Sequence, residues 1–363
     1  MAEDYSEIDS LQEEEEEENQ ENSPLRYFGH EMNRCYSGEK IEVIHEILKQ
    51  EKEEGSYIIE KDQILDHRYQ VKSLIGHGTF CLVWLAYDHI LQQNVAIKIL
   101  KQQDEEIVKD EYILNRYLSD EMTSPNVRLV KFYRMFSHMQ HPCLVFELVA
   151  QNILTYINYF DAEFVGIPIP LIKKIVKDTL KGLDFMHKLG TIHTDLKPEN
   201  VMASRPLFPY PPFPGSNETE VFNALEDDPN TIDFKLGDIG NSCFVNNPVN
   251  DLIQTRQYRS PEVLLGLPYD TSADIWSLAC MTFELATRKH LFDPTNGDDE
   301  DDLSENRHVF DAIHLSMIEN VLGRVPEDWA KEGKNYNLLF NEDGELRHVH
   351  SEQMSCVYDL IRT

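Results

Sequence analysis

The stretch HTDLKPEN, residues 193–200, sets an acid (Asp195), a lysine (Lys197) and an amide (Asn200) at fixed offsets. Phosphoryl transfer asks for such a set in one loop: a carboxylate to accept a hydroxyl proton, an ammonium to offset charge on the moving group, and an oxygen donor for a divalent cation. Loops with this spacing usually carry arginine between the histidine and the acid. Here that position is Thr194, which marks either an inactive loop or one that is switched differently.

Working outward, GDIG at 237–240 offers Asp238 as a second cation ligand, 38 residues after Asn200. Upstream, IGHGTFCLVW at 75–84 supplies Gly76 and Gly78, whose backbone could approach phosphates closely. Cys81 stands where a third glycine would complete G-x-G-x-x-G, and alone the pair reads more simply as a hairpin turn. Lys98, in VAIK at 95–98, follows 22 residues after Gly76 and would hold phosphate oxygens as a point charge. Glu111 fits as its partner on a helix; the adjacent Asp110 would face about 100° away. SPE at 260–262 and DIWS at 274–277 complete the series. Each element alone has a plain structural account, but together and in this order they point to one phosphotransferase.

The elements around these motifs run from strands to helices. YQVKSLIG, CLVWLAYD and NVAIKIL read as strands. A helix is expected over 105–118 and two further strands over 128–136 and 143–148. After Pro170 the pattern turns helical, with Leu171, Ile175, Val176, Leu180, Leu183 and Met186 expected on one face. A second apolar helix should run from about Ala273 through Ala286. SRPLFPYPPFPG at 204–215 reads as an exposed proline-rich loop, and HMQH at 138–141 as a polar connection rather than a metal site.

The net charge is −32, and residues 1–21 hold eleven acids and no lysine or arginine, so the remainder carries about −21. That argues against nucleic acid as a partner and suits a basic polypeptide. The six cysteines, Cys35, Cys81, Cys143, Cys243, Cys280 and Cys356, include no CxxC pair, which reads as reduced thiols inside a cell. No apolar signal region opens the chain and no run nears 18 apolar residues, so no membrane span is expected. Residues 1–55, with six glutamates at 13–18, are expected to be mostly disordered, with a helix over 41–52.

From about Tyr57 the chain resembles the protein kinases, and within them the SR-protein-specific kinases of the CMGC group. HTDLKPEN, LGDIGNSC at 236–243, IQTRQYRSPEVLLG at 253–266 and ADIWSLACMTFELATRKHLFDP at 273–294 carry that resemblance. It implies an α+β bilobal fold: a strand-rich lobe over 56–148 and a helical lobe over 149–363, with a short proline-rich insert at 204–231. Kinases of this family run on for roughly two more helices, whose arginine pairs with the glutamate matching Glu262, so a truncated helical lobe is expected. The implied chemistry is transfer from Mg2+-ATP to serines of Arg/Ser-rich splicing-type proteins. The roles carried over are Asp195 and Lys197 in catalysis and Asn200 and Asp238 on Mg2+. Ile75, Gly76, Gly78, Val83, Ala96, Lys98, Glu111, Phe146, Glu147 and Leu148 are implied around ATP. Arg259 and Glu262 are implied at the substrate loop.

Thr194 leaves no cation waiting for an activation-loop phosphate, so the enzyme is expected to work without one. Docking of a basic substrate is expected on Asp298, Asp299, Asp301, Asp302 and on to Asp311. A monomer in cytoplasm and nucleus is expected. The rival readings are a non-catalytic kinase-fold module that binds basic partners and a CDC-like dual-specificity kinase.

Overall fold

The computed structural model describes residues 59–78, 81–100, 105–159, 167–205, 229–248, 250–294 and 307–347. They divide into a strand-rich unit, 59–112 with 130–150, and a helical unit, 113–129 with 151–204 and 229–347. The helix expected over 41–52 and most of the proline-rich and acidic loops lie outside the described residues.

The first unit is one antiparallel sheet of β1 (Ile64–Leu65), β2 (Tyr69–Gly78), β3 (Cys81–Asp88), β4 (Gln93–Leu100), β5 (Phe132–His138) and β6 (His141–Glu147), in the order β1-β2-β3-β4-β6-β5. Alternation along β3 and β4 buries Leu82, Trp84, Val95, Ile97 and Ile99 on one face. The sheet curls until its two edges touch. Tyr69 stacks on Phe136 at 5.3 Å between ring centroids, and Arg134 pairs with Asp66 at 2.8 Å. The HMQH connection is a two-residue hairpin: Met139 and Gln140 both take positive φ, 49° and 67°, the twist a tight hairpin needs. Among the described residues no group of three or more His, Cys, Asp or Glu could hold a metal.

The helix α1 (Glu105–Glu121) is three residues longer than expected and hands its second half to the helical unit. There Tyr117 Oη donates to the Leu189 carbonyl at 3.4 Å. Residues 128–129, expected to open a strand, join this unit too: Leu236 N–H donates to the Arg128 carbonyl at 2.9 Å, and Leu129 bridges Leu236. Strand pairing in the sheet therefore begins only at Phe132.

In the helical unit, α2 (Ile153–Tyr159) precedes α3 (Ile169–Lys188), which buries Leu171, Ile175, Leu183 and Met186. Leu180, expected on that face, is 42% exposed. It lies nine residues beyond Leu171, about 180° around a helix of 3.6 residues per turn. The inward position is taken by Asp178 instead, fully buried between Lys174 and Lys181. A Cβ on Gly182 would lie 2.6 Å from the Arg128 carbonyl and 2.8 Å from Leu236, so only glycine lets the helix approach this closely.

Short strands β7 (Thr191–Ile192), β8 (Val201–Ala203), β9 (Phe234–Leu236) and β10 (Cys243–Phe244) pair as β7–β10 and β8–β9. The helices α4 (Pro261–Leu265), α5 (Ser272–Thr287), α6 (Arg307–Leu322), α7 (Glu327–Ala330) and α8 (Tyr336–Leu339) follow. Cys81, Cys143, Cys243 and Cys280 form no disulfide among the described residues. Burial pushes the thiols of Cys143 and Cys280 up to about 12, which makes both poor nucleophiles.

Candidate active site

In the strand-rich unit, the period of two sorts the predicted ATP-binding residues by face. Val83 lies opposite Lys98, and Phe146 opposite Ala96. Directly paired residues share a face, and Ala96 and Lys98 are two apart, so all four line the side away from the buried Val95–Ile97–Ile99 row. All four are only partly buried, as a platform for a flat ring requires. Lys98 Nζ donates to Glu111 Oε1 at 2.8 Å, and the two side chains are only 16% and 8% exposed. Asp110 is exposed, so the choice between the two acids follows from helix geometry.

Ile75 and Gly76 lie on β2, with Gly76 opposite Val83 and Gly78 opposite Cys81. A Cβ on Gly76 would meet Val83 at an ordinary 3.6 Å, so the sheet itself does not require glycine there. Glu147 pairs with Val95 and turns its carboxylate to the Lys131 N–H, 2.7 Å away. Its side chain is therefore spent on the sheet edge and does not share the Lys98 face. Leu148 follows directly after the strand.

In the helical unit, the HTDLKPEN loop hangs from one buried carboxylate. Asp274, on the first turn of α5, accepts the N–H groups of His193 (2.8 Å) and Thr194 (2.9 Å) and sits 2.7 Å from His187 Nε2. Those bonds hold Thr194 at φ 70°, a left-handed backbone that a β-branched residue rarely takes. Its hydroxyl then donates to the Asn241 carbonyl at 2.7 Å. His193 is fully buried, with Nε2 3.1 Å from the Gly237 carbonyl. Both contacts reach the segment that carries Asp238.

Asp195 is held at both oxygens. Oδ1 accepts from Thr255 Oγ1 at 2.6 Å, and Oδ2 lies 3.1 Å from Lys197 Nζ. Lys197 also donates to Thr255 Oγ1 at 2.9 Å, so acid, lysine and threonine close a triangle. Asn200 spends its amide N–H on the Asp195 carbonyl at 2.8 Å, which leaves its side-chain oxygen as the atom for a cation. The Asn200 carbonyl accepts the Gly237 N–H at 2.9 Å, and the next residue is Asp238, exposed and left-handed at φ 51°. Asn200 and Asp238 are thus carried on neighbouring segments joined by a main-chain bond. Oxygen donors in so small a number suit a hard divalent ion that keeps most of its shell for phosphate and water.

The motifs IQTRQYRSPE and DIWS do not by themselves say that Thr255 is the member that touches Asp195, or that Asp274 is the one that takes the His193 and Thr194 N–H groups. Arg259 is buried, its guanidinium donating to the carbonyls of Ile253 and Gln254 at 2.8–3.2 Å. It shapes the loop from inside. Burial pushes the Glu262 carboxyl above its ordinary range, and among the described residues no cation pairs with it. Asp298, Asp299, Asp301 and Asp302 lie outside the described residues. Asp311 is 1% exposed and ion-paired with Arg256. That corrects its place on a docking face: the buried guanidinium claims the carboxylate that a substrate would need.

The family described as "Protein kinase domain" matches residues 69–347. The chain is 33% identical to the serine/threonine-protein kinase SRPK of Physarum polycephalum, over 86% of this chain and 80% of that protein. It is 27% identical to protein kinase dsk1 of Schizosaccharomyces pombe, over 78% and 71%. It is 30% identical to the human dual specificity tyrosine-phosphorylation-regulated kinase 3, over 81% of this chain and 44% of that one. A domain of this family works with ATP and a divalent metal ion. The order of motifs, the held carboxylate and these likenesses agree: the chain belongs to the protein kinase family, as a serine/threonine kinase of the CMGC group with relatives among the SRPK kinases.

Proposed function

We propose that the chain transfers the γ-phosphoryl group of ATP, with Mg2+, to serines of Arg/Ser-rich proteins, and that it needs no phosphate on the segment between Asp238 and Glu262. One observation carries this: the Asp195 carboxylate is fixed by Thr255 and Lys197 with threonine, not arginine, at 194. The acid is aimed without a loop cation that would await a phosphate.

Asp195 accepts the proton of the attacking serine hydroxyl. Lys197 offsets charge on the group in transfer, and Lys98, steadied by Glu111, holds nucleotide phosphate oxygens. Asn200 and Asp238 would hold the metal ion, which when bound would neutralise phosphate charge. Val83, Ala96 and Phe146 take the purine. The resemblance to the SRPK relatives and a net charge of −32 support a cationic substrate.

The test is incorporation of phosphate from Mg2+-ATP into an Arg-Ser repeat peptide, with Asp195→Ala as the control. Turnover should fall by about 10²–10⁴, the usual worth of a positioned base. Incorporation unchanged in Asp195→Ala overturns the assignment. The dual-specificity relative favours a second reading, phosphorylation of tyrosine as well; phosphotyrosine in the same assay would establish it.

A further inference from the structure

Ser204 directly follows strand β8 and is exposed. Its Oγ accepts the Asp233 N–H at 3.1 Å, and its own N–H donates to the Asp233 carbonyl at 2.8 Å. The Asp233 side chain, 41% exposed, accepts in turn from Arg128 Nη2 at 2.8 Å and Lys174 Nζ at 3.0 Å. Behind it Asp178 takes Lys174 and Lys181 and lies 3.5 Å from Arg128 Nε. That nitrogen is buried with no hydrogen-bond acceptor among the described residues. Three cations against two carboxylates leave a net +1 beside an exposed hydroxyl. None of these five side chains touches the Asp195 triangle.

We propose that Ser204 is a phosphorylation site of this protein, modified by the active site of a second copy of the chain, and that Lys174 and Arg128 receive the phosphate in place of Asp233. The inference rests on the kinase reading above, since Ser204 is followed by Arg205, a serine beside an arginine. The donor is ATP. The Ser204 Oγ–phosphorus bond forms as the β–γ bridge breaks, ADP leaves, and the hydroxyl proton passes to Asp195 of the other copy.

A second copy is required because β8 stands between Asn200 and Ser204. At about 3.3 Å per residue, the four steps from Asn200 across β8 hold the serine roughly 13 Å from its own catalytic loop. A phosphoserine carries about −1.5 to −2 charges and three acceptor oxygens, more than one carboxylate offers to two cations. Asp233, already part-exposed, can turn to water.

The full chain carrying Asp195→Ala is incubated with Mg2+-ATP and a small amount of the unaltered chain, and the phosphopeptides are mapped by mass spectrometry. Phosphate at Ser204 is expected, at a rate proportional to the unaltered chain, and absent from the Ser204→Ala variant. If an Arg-Ser peptide is phosphorylated but Ser204 is not, this inference fails and the kinase reading stands. If neither is phosphorylated, both fail. A rate in the unaltered chain alone that does not change on dilution overturns the second copy. For the receiving cations, the phosphorus resonance is followed with pH. Its midpoint should lie below that of the same chain in urea, where phosphoserine titrates near about 6. Equal midpoints overturn the placement on Lys174 and Arg128.

Discussion

The Thr194 hydroxyl donates to the main-chain carbonyl of Asn241 over 2.7 Å, tying the loop that carries Asp195 to the segment that carries Asp238. An arginine at 194 would hold a charge there; the threonine makes a short neutral strut instead. A neutral hydrogen bond contributes about 0.5–1.5 kcal/mol net. Thr194→Val keeps the shape and loses the donor, so kcat should fall roughly 2- to 12-fold by that range, with a rise in the Mg2+ concentration for half-maximal rate. Thr194→Ser should restore both. A Thr194→Val enzyme with unchanged metal dependence would show that the strut positions nothing.

Activity should survive phosphatase treatment of the purified protein, because Asp195 is already held through Thr255 and Lys197. Peptide phosphorylation is measured before and after treatment. A large loss that a second kinase restores would contradict this.

The bridging Thr255 should matter more than its neutral side chain suggests. Its hydroxyl donates to an ionised carboxylate at 2.6 Å while accepting from an ammonium at 2.9 Å. Hydrogen bonds to charged groups are worth about 1.5–3 kcal/mol, so Thr255→Ala should cut kcat by roughly 10- to 150-fold. KM for ATP should barely move, since the Thr255 hydroxyl bonds the acid and the catalytic lysine. Thr255→Ser should recover most of the rate.

Glu111→Gln removes the charge that steadies Lys98 at 2.8 Å. The lysine then swings among other partners, and KM for ATP should rise several-fold with a smaller loss in kcat. A kcat loss with KM unchanged would mean that Lys98 is placed by the sheet alone.

Much of this was legible because the chemistry is written in short, ordered motifs. The strand reading of VAIK carried Lys98, and helix geometry chose Glu111 over Asp110. What stayed hidden depends on long-range closure. Asp274 meets His193 some 81 residues away, and Thr255 meets Asp195 across 60, so no local pattern names them. Leu180 misled because hydropathy ignores ion pairs: a fully buried Asp178 is stable only where Lys174, Lys181 and the Phe234 N–H converge on it. Asp311 misled similarly, an acid near an acidic run that folding turns inward to Arg256.

Gly182 offers a test of packing alone. A Cβ there would come within 2.6 Å of the Arg128 carbonyl, whereas Gly190 has nothing within 4 Å, though its φ is +73°. Gly182→Ala must push α3 off Arg128 and Leu236, a forced overpacking that costs about 1–3 kcal/mol. Melting of the variant should drop by several degrees. An unchanged melting temperature would mean that the helix shifts freely at this crossing.

The last prediction concerns acid stability and starts from Asp178. Burial pushes its carboxyl up, but hydrogen bonds from Lys174, the Phe234 N–H and Lys181 outweigh burial and hold it below its ordinary 3.8. A depressed carboxylate stabilises the fold at every pH above its unfolded value, and that contribution is lost as pH falls through the folded value. The helical unit should therefore weaken below about pH 4 as Asp178 takes up its proton and releases Lys174 and Lys181. Asp178→Asn removes one partner of a buried pair, at a cost of about 3–5 kcal/mol near neutral pH. The gap between variant and parent should then narrow as pH drops below about 4, because protonation costs the parent the same carboxylate. Asp88 is likewise held low: burial raises it, but Arg68 and the N–H groups of Leu91 and Ile90 prevail. The strand-rich unit should thus keep its own acid sensitivity in the variant. Urea unfolding of both proteins between neutral and acid pH measures this. A stability gap that stays constant across the range would show that Asp178 is not ionised in the fold.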